Sequence, residues 1–537
     1  MTETAPAATE QVTTDAVKPK PTVPTTEPVT EPEPDLVLPR LSLTTVRQDS
    51  DALDFAEKPV VPYVADEAVT RLLDLRKYPA PFYEACTLTI ADLDHTILTE
   101  DAACDVRVRG NWTTYYPKKP LRIRFAEKQS VLTLHDGEEL KNWVLLAEYK
   151  DPSLLRNKTA LSISRELLGR DGYYAADAAL VELEINGEYW GVYLLTEQQE
   201  VGKHRIAVTK PDHENPDTKI GYLLEYDGYS KHEDDLHRFE ISYADRAPLT
   251  PYDGCGGSMR LFYPQIIGFS VKSDIDTAAQ RDFIANYMDK LYRILYAAAY
   301  EKTAYQFNAD KTDIEKAEIT PQQAVEQVVD VQSLADMYIL CELFCDADLN
   351  WSSFFMDVDF GEDGDGKLRF EAPWDFDSAM GLKDRCQDGK GFYAANLIPD
   401  LEDKYDTINP WLAVLAYEDW FQSRVRQTWS KAYNAGIFAR GIERISADTD
   451  AYTDAFDRNA ERWKKKDSLL LKQDKPELSQ KEAAQQLAGW LETRVRFLNA
   501  NWYEEIIETT EPTTEEPTGE PAKESSEESS ELLDTAA

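Results

Sequence analysis

Residues 341–381 read CELFCDADLNWSSFFMDVDFGEDGDGKLRFEAPWDFDSAMG, and their pattern decides how the rest of the chain is read. An apolar run at helical spacing ends in Asp346-Ala-Asp348. Two alternating segments follow, SFFMDV and KLRFEA, which their period-two pattern predicts as strands joined by a Gly/Asp turn. The second runs straight into Pro373-Trp374-Asp375-Phe376-Asp377. Carboxylates therefore stand at both ends of one predicted hairpin. Acids that decorate the turns of an acidic protein are the plainer explanation. Four of them flanking apolar strands, with a Trp beside one pair, point instead to a site.

The 537 residues carry a net charge of −41. Taking away −5 for residues 1–36 and −11 for residues 504–537 leaves −25 for the remainder. Nucleic acid is therefore a poor partner, and a phosphate pocket has to be a local basic island. Residues 1–36 and 506–537 are Thr/Pro/Glu/Ser tracts, too poor in apolar side chains to offset chain entropy, and read as disordered. Such tracts resemble the linkers of secreted or wall-attached proteins. The N-terminus lacks a signal-peptide pattern, and a signal removed before this numbering would reconcile the two. No apolar run is long enough for a membrane span. Six Cys in so long a chain rule out a disulfide scaffold. Cys86 and Cys104 could pair across neighbouring strands; Cys341 and Cys345, four apart on one predicted helix, read as packing residues.

Residues 37–105 read as strand-rich, with a short helix predicted within 63–78. The basic island follows. Residues 105–125, DVRVRGNWTTYYPKKPLRIRF, place Arg107, Arg109, Lys118, Lys119, Arg122 and Arg124 on two strands and the loop between them. Arg109-Gly110-Asn111 reads as a tight turn bringing backbone amides toward a ligand. A strand face whose Arg residues pair with neighbouring acids is the alternative. Asp151-Pro152 reads as the start of a helix stopped by Gly169. Asn186-Gly187 marks a hairpin turn, and Glu225 is half-buried by pattern. Residues 230–275 read as an irregular insertion. Helices are predicted over 276–303, 322–345, 411–445 and 478–504. No P-loop, GxGxxG or zinc-type His spacing occurs.

Five segments carry a resemblance: VRVRGNWTTYYPKKPLRIRF, KNWVLLAEYKDPSLLRNKTALSI, VELEINGEYWGVYLLTEQ, GYLLEYDGY and APWDFDSAMG. In this order, over roughly residues 40–500, the chain resembles the CotH family of spore-coat-type proteins with an atypical protein-kinase fold. The implied fold is α+β and bilobal, with a β-rich lobe over about 37–229 and a mainly helical lobe over about 270–505. The implied activity is Mg²⁺-dependent transfer of the ATP γ-phosphate to a Ser or Thr of a secreted or surface protein. A catalytically silent surface scaffold and a metal-dependent hydrolase are the rival readings.

On this resemblance Asp348 is the catalytic Asp, with Asp346 second, and Asp375 and Asp377 are metal ligands. Kinases carry a metal-binding Asn five residues after the catalytic Asp; that position is Ser353 here, with Asn350 at plus two. Arg109 and Lys119 are expected on the phosphates, with Lys118 behind them. Arg156 is marked by the family pattern, and Glu197 is expected beside the nucleotide base. Glu166 is a weaker candidate for the kinase helix glutamate. The literal Asp359-Phe360-Gly361 sits in the turn and reads as a decoy. A Ca²⁺ site on Asp357, Asp359, Asp363 and Asp365 lacks EF-hand spacing.

Overall fold

Strands β1 (Arg40–Thr45), β2 (Glu84–Ala91), β3 (Ile97–Val108), β4 (Leu121–Gln129) and β5 (Leu140–Leu146) pair antiparallel in succession. The hairpin of β6 (Ala178–Ile185) and β7 (Glu188–Glu197) completes a closed barrel in the order β1-β2-β3-β4-β5-β7-β6. Closure comes from parallel pairing of β1 with β6, from Arg40 opposite Glu182 to Leu43 opposite Ile185. The computed structural model describes residues 36–58, 81–110, 112–242, 267–346, 348–382, 386–395, 398–399, 406–464 and 478–505. The short helix expected within 63–78 lies outside them, as do both terminal tracts apart from Leu36.

The barrel follows from period-two patterning. Leu41, Leu43, Leu88, Ile90, Val106, Ile123, Phe125, Trp143 and Tyr193 are buried together in its interior. Closure leaves no open sheet edge, which suits a run of β-rich sequence. Asn186 and Gly187 both have positive φ, as a two-residue hairpin turn requires. Cys86 and Cys104 stand opposite each other on β2 and β3, both buried and both free thiols.

Helix α1 (Arg156–Leu168) begins four residues later than the expected first helical residue, Pro152. Asp151 is still the cap. Its carboxylate accepts the N–H groups of Ser153, Leu155 and Arg156 at 2.9, 3.0 and 2.9 Å, but Leu154 at φ +60 breaks the helical path in between.

A second sheet runs in the order β13-β8-β10-β9: β8 (Gly221–Asp227), β9 (Arg238–Phe239), β10 (Gly268–Val271) and β13 (Phe354–Asp359). A small ribbon joins β11 (Tyr305–Phe307) to β12 (Ile314–Lys316). The expected hairpin of SFFMDV with KLRFEA is not formed as a ladder. β13 pairs instead with β8, Phe354 opposite Tyr226 through Asp359 opposite Gly221. Of the second segment, Arg369 pairs with Asp357 and Leu368 with Val329, as isolated bridges. The chain turns away at Ala372, φ +58, so the ladder cannot continue.

The C-terminal part is helical: α2 (Ala278–Tyr296), α3 (Val331–Phe344), α4 (Asp419–Asn434), α5 (Ile437–Ala451) and α6 (Gln480–Trp502). Capping explains the starts. Thr277 with Gln280, and Ser479 with Glu482, form capping boxes, and Asp330 accepts from Gln332 and Ser333. Every residue of α3 except Gln332 is buried, so α3 runs through the centre of the helical part. The fold is thus α+β, β-rich toward the N-terminus and helical toward the C-terminus. Among the described residues no helix is long and apolar enough to cross a membrane.

Candidate active site

The acidic loop is built at the end of α3. Cys345 ends the helix in the left-handed region at φ +48. Asp346 is buried and accepts the Asp348 N–H at 3.2 Å. The Asp348 carbonyl then takes the N–H groups of Trp351 and Ser352 at 2.7 and 2.9 Å, folding a tight turn. Ser353, also left-handed at φ +61, donates its N–H to Glu225 Oε1 at 2.9 Å before β13 begins.

The chain returns through Pro373 and Trp374 to Asp375, φ +69. Two contacts close the loop on itself. Ser353 Oγ lies 3.4 Å from Asp375 Oδ2, and Ser378 Oγ lies 3.4 Å from Asp348 Oδ2. These two serine contacts tie the Asp348 turn to the Asp375–Ser378 loop. Non-glycine residues at positive φ cost on the order of 1–2 kcal/mol each. Cys345, Ser353, Ala372, Asp375 and Met380 all adopt it within one loop pair, held by the surrounding contacts.

Helix α1 supplies those contacts. Asn157 Oδ1 accepts the Phe376 N–H at 2.7 Å, between Asp375 and Asp377, and Arg156 Nε donates to the Ala379 carbonyl at 3.1 Å. Arg156 also pairs with Asp151. Its donors serve the fold of this loop rather than an open pocket.

The barrel contributes the positive charge. Gly110, φ +91, turns the chain after β3; a Cβ there would meet Thr113 Oγ1 at 2.1 Å, so only glycine fits. Arg109, half-buried, stacks its guanidinium 5.6 Å from the Trp374 ring centre. Burial lowers its pKa, the Asp375 and Glu225 carboxylates act the other way, and Arg122 and Arg107 add repulsion. Arg109 of the basic island thus faces the acidic loop.

The two lysines differ from expectation. Lys119 is buried with its ammonium on the Thr114 and Tyr116 carbonyls, at 2.6 and 3.0 Å within its own loop. It is not available to a phosphate in this arrangement. Lys118 is 1% exposed, bonds the Val192 carbonyl and lies 4.5 Å from the Tyr193 ring centre. Burial pulls it down to about 7, with Glu148 opposing. Glu148 accepts from Asn157 Nδ2 at 3.0 Å, and burial together with Asp151 and Asp377 raises it well above the carboxylate range. Burial thus disfavours charge on both Lys118 and Glu148, and Glu148 senses Lys118 on one side and Asp377 on the other.

Glu197 also needs correction. It is fully buried, accepting from His135 Nδ1 at 3.0 Å and the Asp177 N–H at 2.7 Å, with Arg205 at 3.5 Å. That carboxylate braces the barrel end and does not open to a nucleotide. Glu166 pairs outward with Arg440 and Arg444 of α5. Asp359 holds Thr209 and the Gly361 N–H, a structural turn.

Glu148 and Asn157 are the residues that sequence reading missed. The signal for Glu148 was an acid placed directly after the apolar run VLLA; that for Asn157 was an amide in the first turn of a buried helix. A magnesium–nucleotide group is compatible with what is present. Glu148 Oε2 and both amide atoms of the buried Asn350 lack a hydrogen-bond partner among the described residues. Among the described residues no three Asp, Glu, His or Cys side chains form a ready metal cage. Mg²⁺ asks less, usually one or two carboxylates completed by waters and phosphate oxygens.

Against known families, a model of the CotH kinase protein family matches residues 106–498. The chain belongs to the CotH family. The match begins in β3 and ends in α6, so every residue placed above in the candidate site lies within it. The chain is also similar to the inner spore coat protein H of Bacillus subtilis (strain 168), 34% identical over 106 residues. That stretch is 20% of this chain and 26% of the relative, so the CotH-type likeness to that protein spans about a quarter of its length.

Proposed function

We propose that this CotH-family chain is an atypical protein kinase that moves the ATP γ-phosphoryl group to a Ser or Thr hydroxyl of a surface or coat protein. The observation that carries the reading is the meeting of Asp348 with the Asp375–Asp377 loop, opposite Arg109 of the barrel. Phosphoryl transfer asks a protein mainly for positioning and charge neutralisation, which is what such a set supplies.

In this reading Asp348 orients the acceptor hydroxyl and takes its proton, with Asp346 holding the Asp348 backbone. Asp375 and Asp377 hold Mg²⁺, and Ser353 steadies Asp375. Mg²⁺ held there would supply charge neutralisation for the transferred phosphoryl group. Arg109 meets the phosphates, and Lys118 acts behind Glu148. Residues 37–505 form the kinase-like domain, with the barrel and the helical part as its two lobes and the terminal tracts as tethers at a cell or spore surface.

The second reading is a silent scaffold, favoured by Ser353 where kinases place an Asn ligand. Labelled ATP separates the two. Wild type should transfer label to itself or to coat protein in Mg²⁺, and Asp377→Ala and Asp348→Asn should not. Transfer that survives both substitutions overturns the site; ATP-dependent thermal stabilisation without transfer establishes the scaffold.

A further inference from the structure

Cys345 and Cys386 have no part in the scheme above. Cys345 is buried at the end of α3, one residue before Asp346, and Cys386 is half-exposed beyond the Asp375–Asp377 loop. Their sulfurs touch: Cys345 Sγ donates to Cys386 Sγ at 3.2 Å and lies 3.3 Å from the Glu342 carbonyl. Cys386 Sγ in turn faces the Lys390 carbonyl at 3.6 Å, and Trp490 of α6 holds the Cys386 carbonyl at 2.9 Å.

The charges around the pair make the two sulfurs unlike. The hydrogen bond from Cys345 lowers the Cys386 thiol pKa below its usual value; burial opposes, Arg494 assists, and Glu342 and Asp388 oppose. Burial pushes Cys345 well up. An accessible thiol of lowered pKa beside a second, buried thiol is the arrangement of a redox-reactive cysteine with its resolving partner.

We propose that Cys345 and Cys386 form a reversible disulfide, made by exchange with a small-molecule disulfide such as oxidised glutathione. The Cys386 thiolate attacks one sulfur of that reagent, forming a mixed disulfide and releasing one thiolate. Cys345 then gives its proton to solvent and attacks Cys386 Sγ, expelling the second thiolate. Two protein thiols are oxidised, and one external disulfide is reduced to two thiols. The sulfurs need to approach by only about 1 Å to reach bonding distance. The bond spans a sequence separation of 41 and encloses Asp346, Asp348, Asp375 and Asp377 in one covalent loop. It does not depend on the phosphoryl-transfer reading.

The experiment equilibrates the full chain in glutathione redox buffers, traps free thiols by alkylation and maps the peptides. A Cys345–Cys386 cross-linked peptide, lost on adding dithiothreitol, is expected, with Tm raised by roughly 5 °C in the oxidised form. Cys345→Ser should leave Cys386 as a lasting mixed disulfide with glutathione, and Cys386→Ser should abolish the cross-link. The proposal is overturned by Cys386 that stays alkylatable in excess oxidised glutathione, by a wild-type mixed disulfide with Cys345 still free, or by pairing of Cys345 with Cys341. Should Cys345→Ser fail to fold, the wild-type map decides alone. No ATP is used, so the result stands apart from any failure of the kinase reading.

Discussion

Asn157 accepts the Phe376 N–H at 2.7 Å while its own amide donates to Glu148 at 3.0 Å. One side chain on α1 thus fixes the backbone between Asp375 and Asp377 and orients the acid at the end of β5. Asn157→Ala strands both partners in a buried setting, where each unsatisfied group costs about 1–3 kcal/mol. Urea unfolding should show a loss of roughly 2–4 kcal/mol, together with loss of label transfer. A change under 1 kcal/mol would remove Asn157 from this role.

Arg109 and Lys119 should part company on nucleotide affinity. Arg109 faces Asp375, whereas Lys119 is spent on two carbonyls. Arg109→Gln is expected to weaken Mg–ATP binding roughly ten- to hundredfold, the value of a charge-assisted phosphate contact. Lys119→Met should alter stability and leave the affinity of the folded protein near wild type. Calorimetric titration of both variants checks the contrast, and equal losses would contradict it.

Lys118 gives the pH dependence a sign. Its folded value of about 7 lies below that of an unfolded lysine, ~10.4. Between those values the unfolded chain binds more protons, so this group makes stability rise with pH. Lys119, pulled down to about 8, acts in the same direction, and Glu148, pushed up, acts in the opposite one. Comparing Lys118→Met with wild type isolates the first term. Any advantage of the variant in urea should shrink between about pH 7 and pH 9. A difference that stays flat across that range would refute the assignment.

The buried pair Arg494–Glu342 ties α6 to α3 at 2.7 Å, and Glu342 also accepts the Tyr393 and Ala394 N–H groups at 2.7 and 2.9 Å. Removing one partner leaves a buried charge, at a cost of about 3–5 kcal/mol. Arg494→Met should therefore lower the urea midpoint sharply. Arg444→Met, at an exposed pair with Glu166, should cost less than about 1 kcal/mol.

Local chemistry was legible in the sequence: Asp151 as a capping residue, the Asn186-Gly187 turn, and the acids before and after the SFFMDV and KLRFEA segments. Relationships set by tertiary pairing were not. The period-two pattern marks Phe354–Asp359 and residues 367–372 alike as strands, but cannot say that β13 prefers β8 as its neighbour. Alternation likewise shows that Lys118 and Lys119 diverge, without showing which one meets Glu148. Barrel closure is equally silent, because β1 and β6 are separated by more than a hundred residues and their pairing leaves no local mark.

Arg156 and Asn157 stand at the first turn of one helix and seize the chain at Ala379 and Phe376. The acidic pair is therefore indexed to α1 rather than to the strand that precedes it in sequence. Stretching or trimming the tip between Gly361 and Lys367 would be absorbed before it reached Asp375, much as slack in a rope is lost at a cleat. That tip is a natural point for grafting a reporter without disturbing the acids it separates.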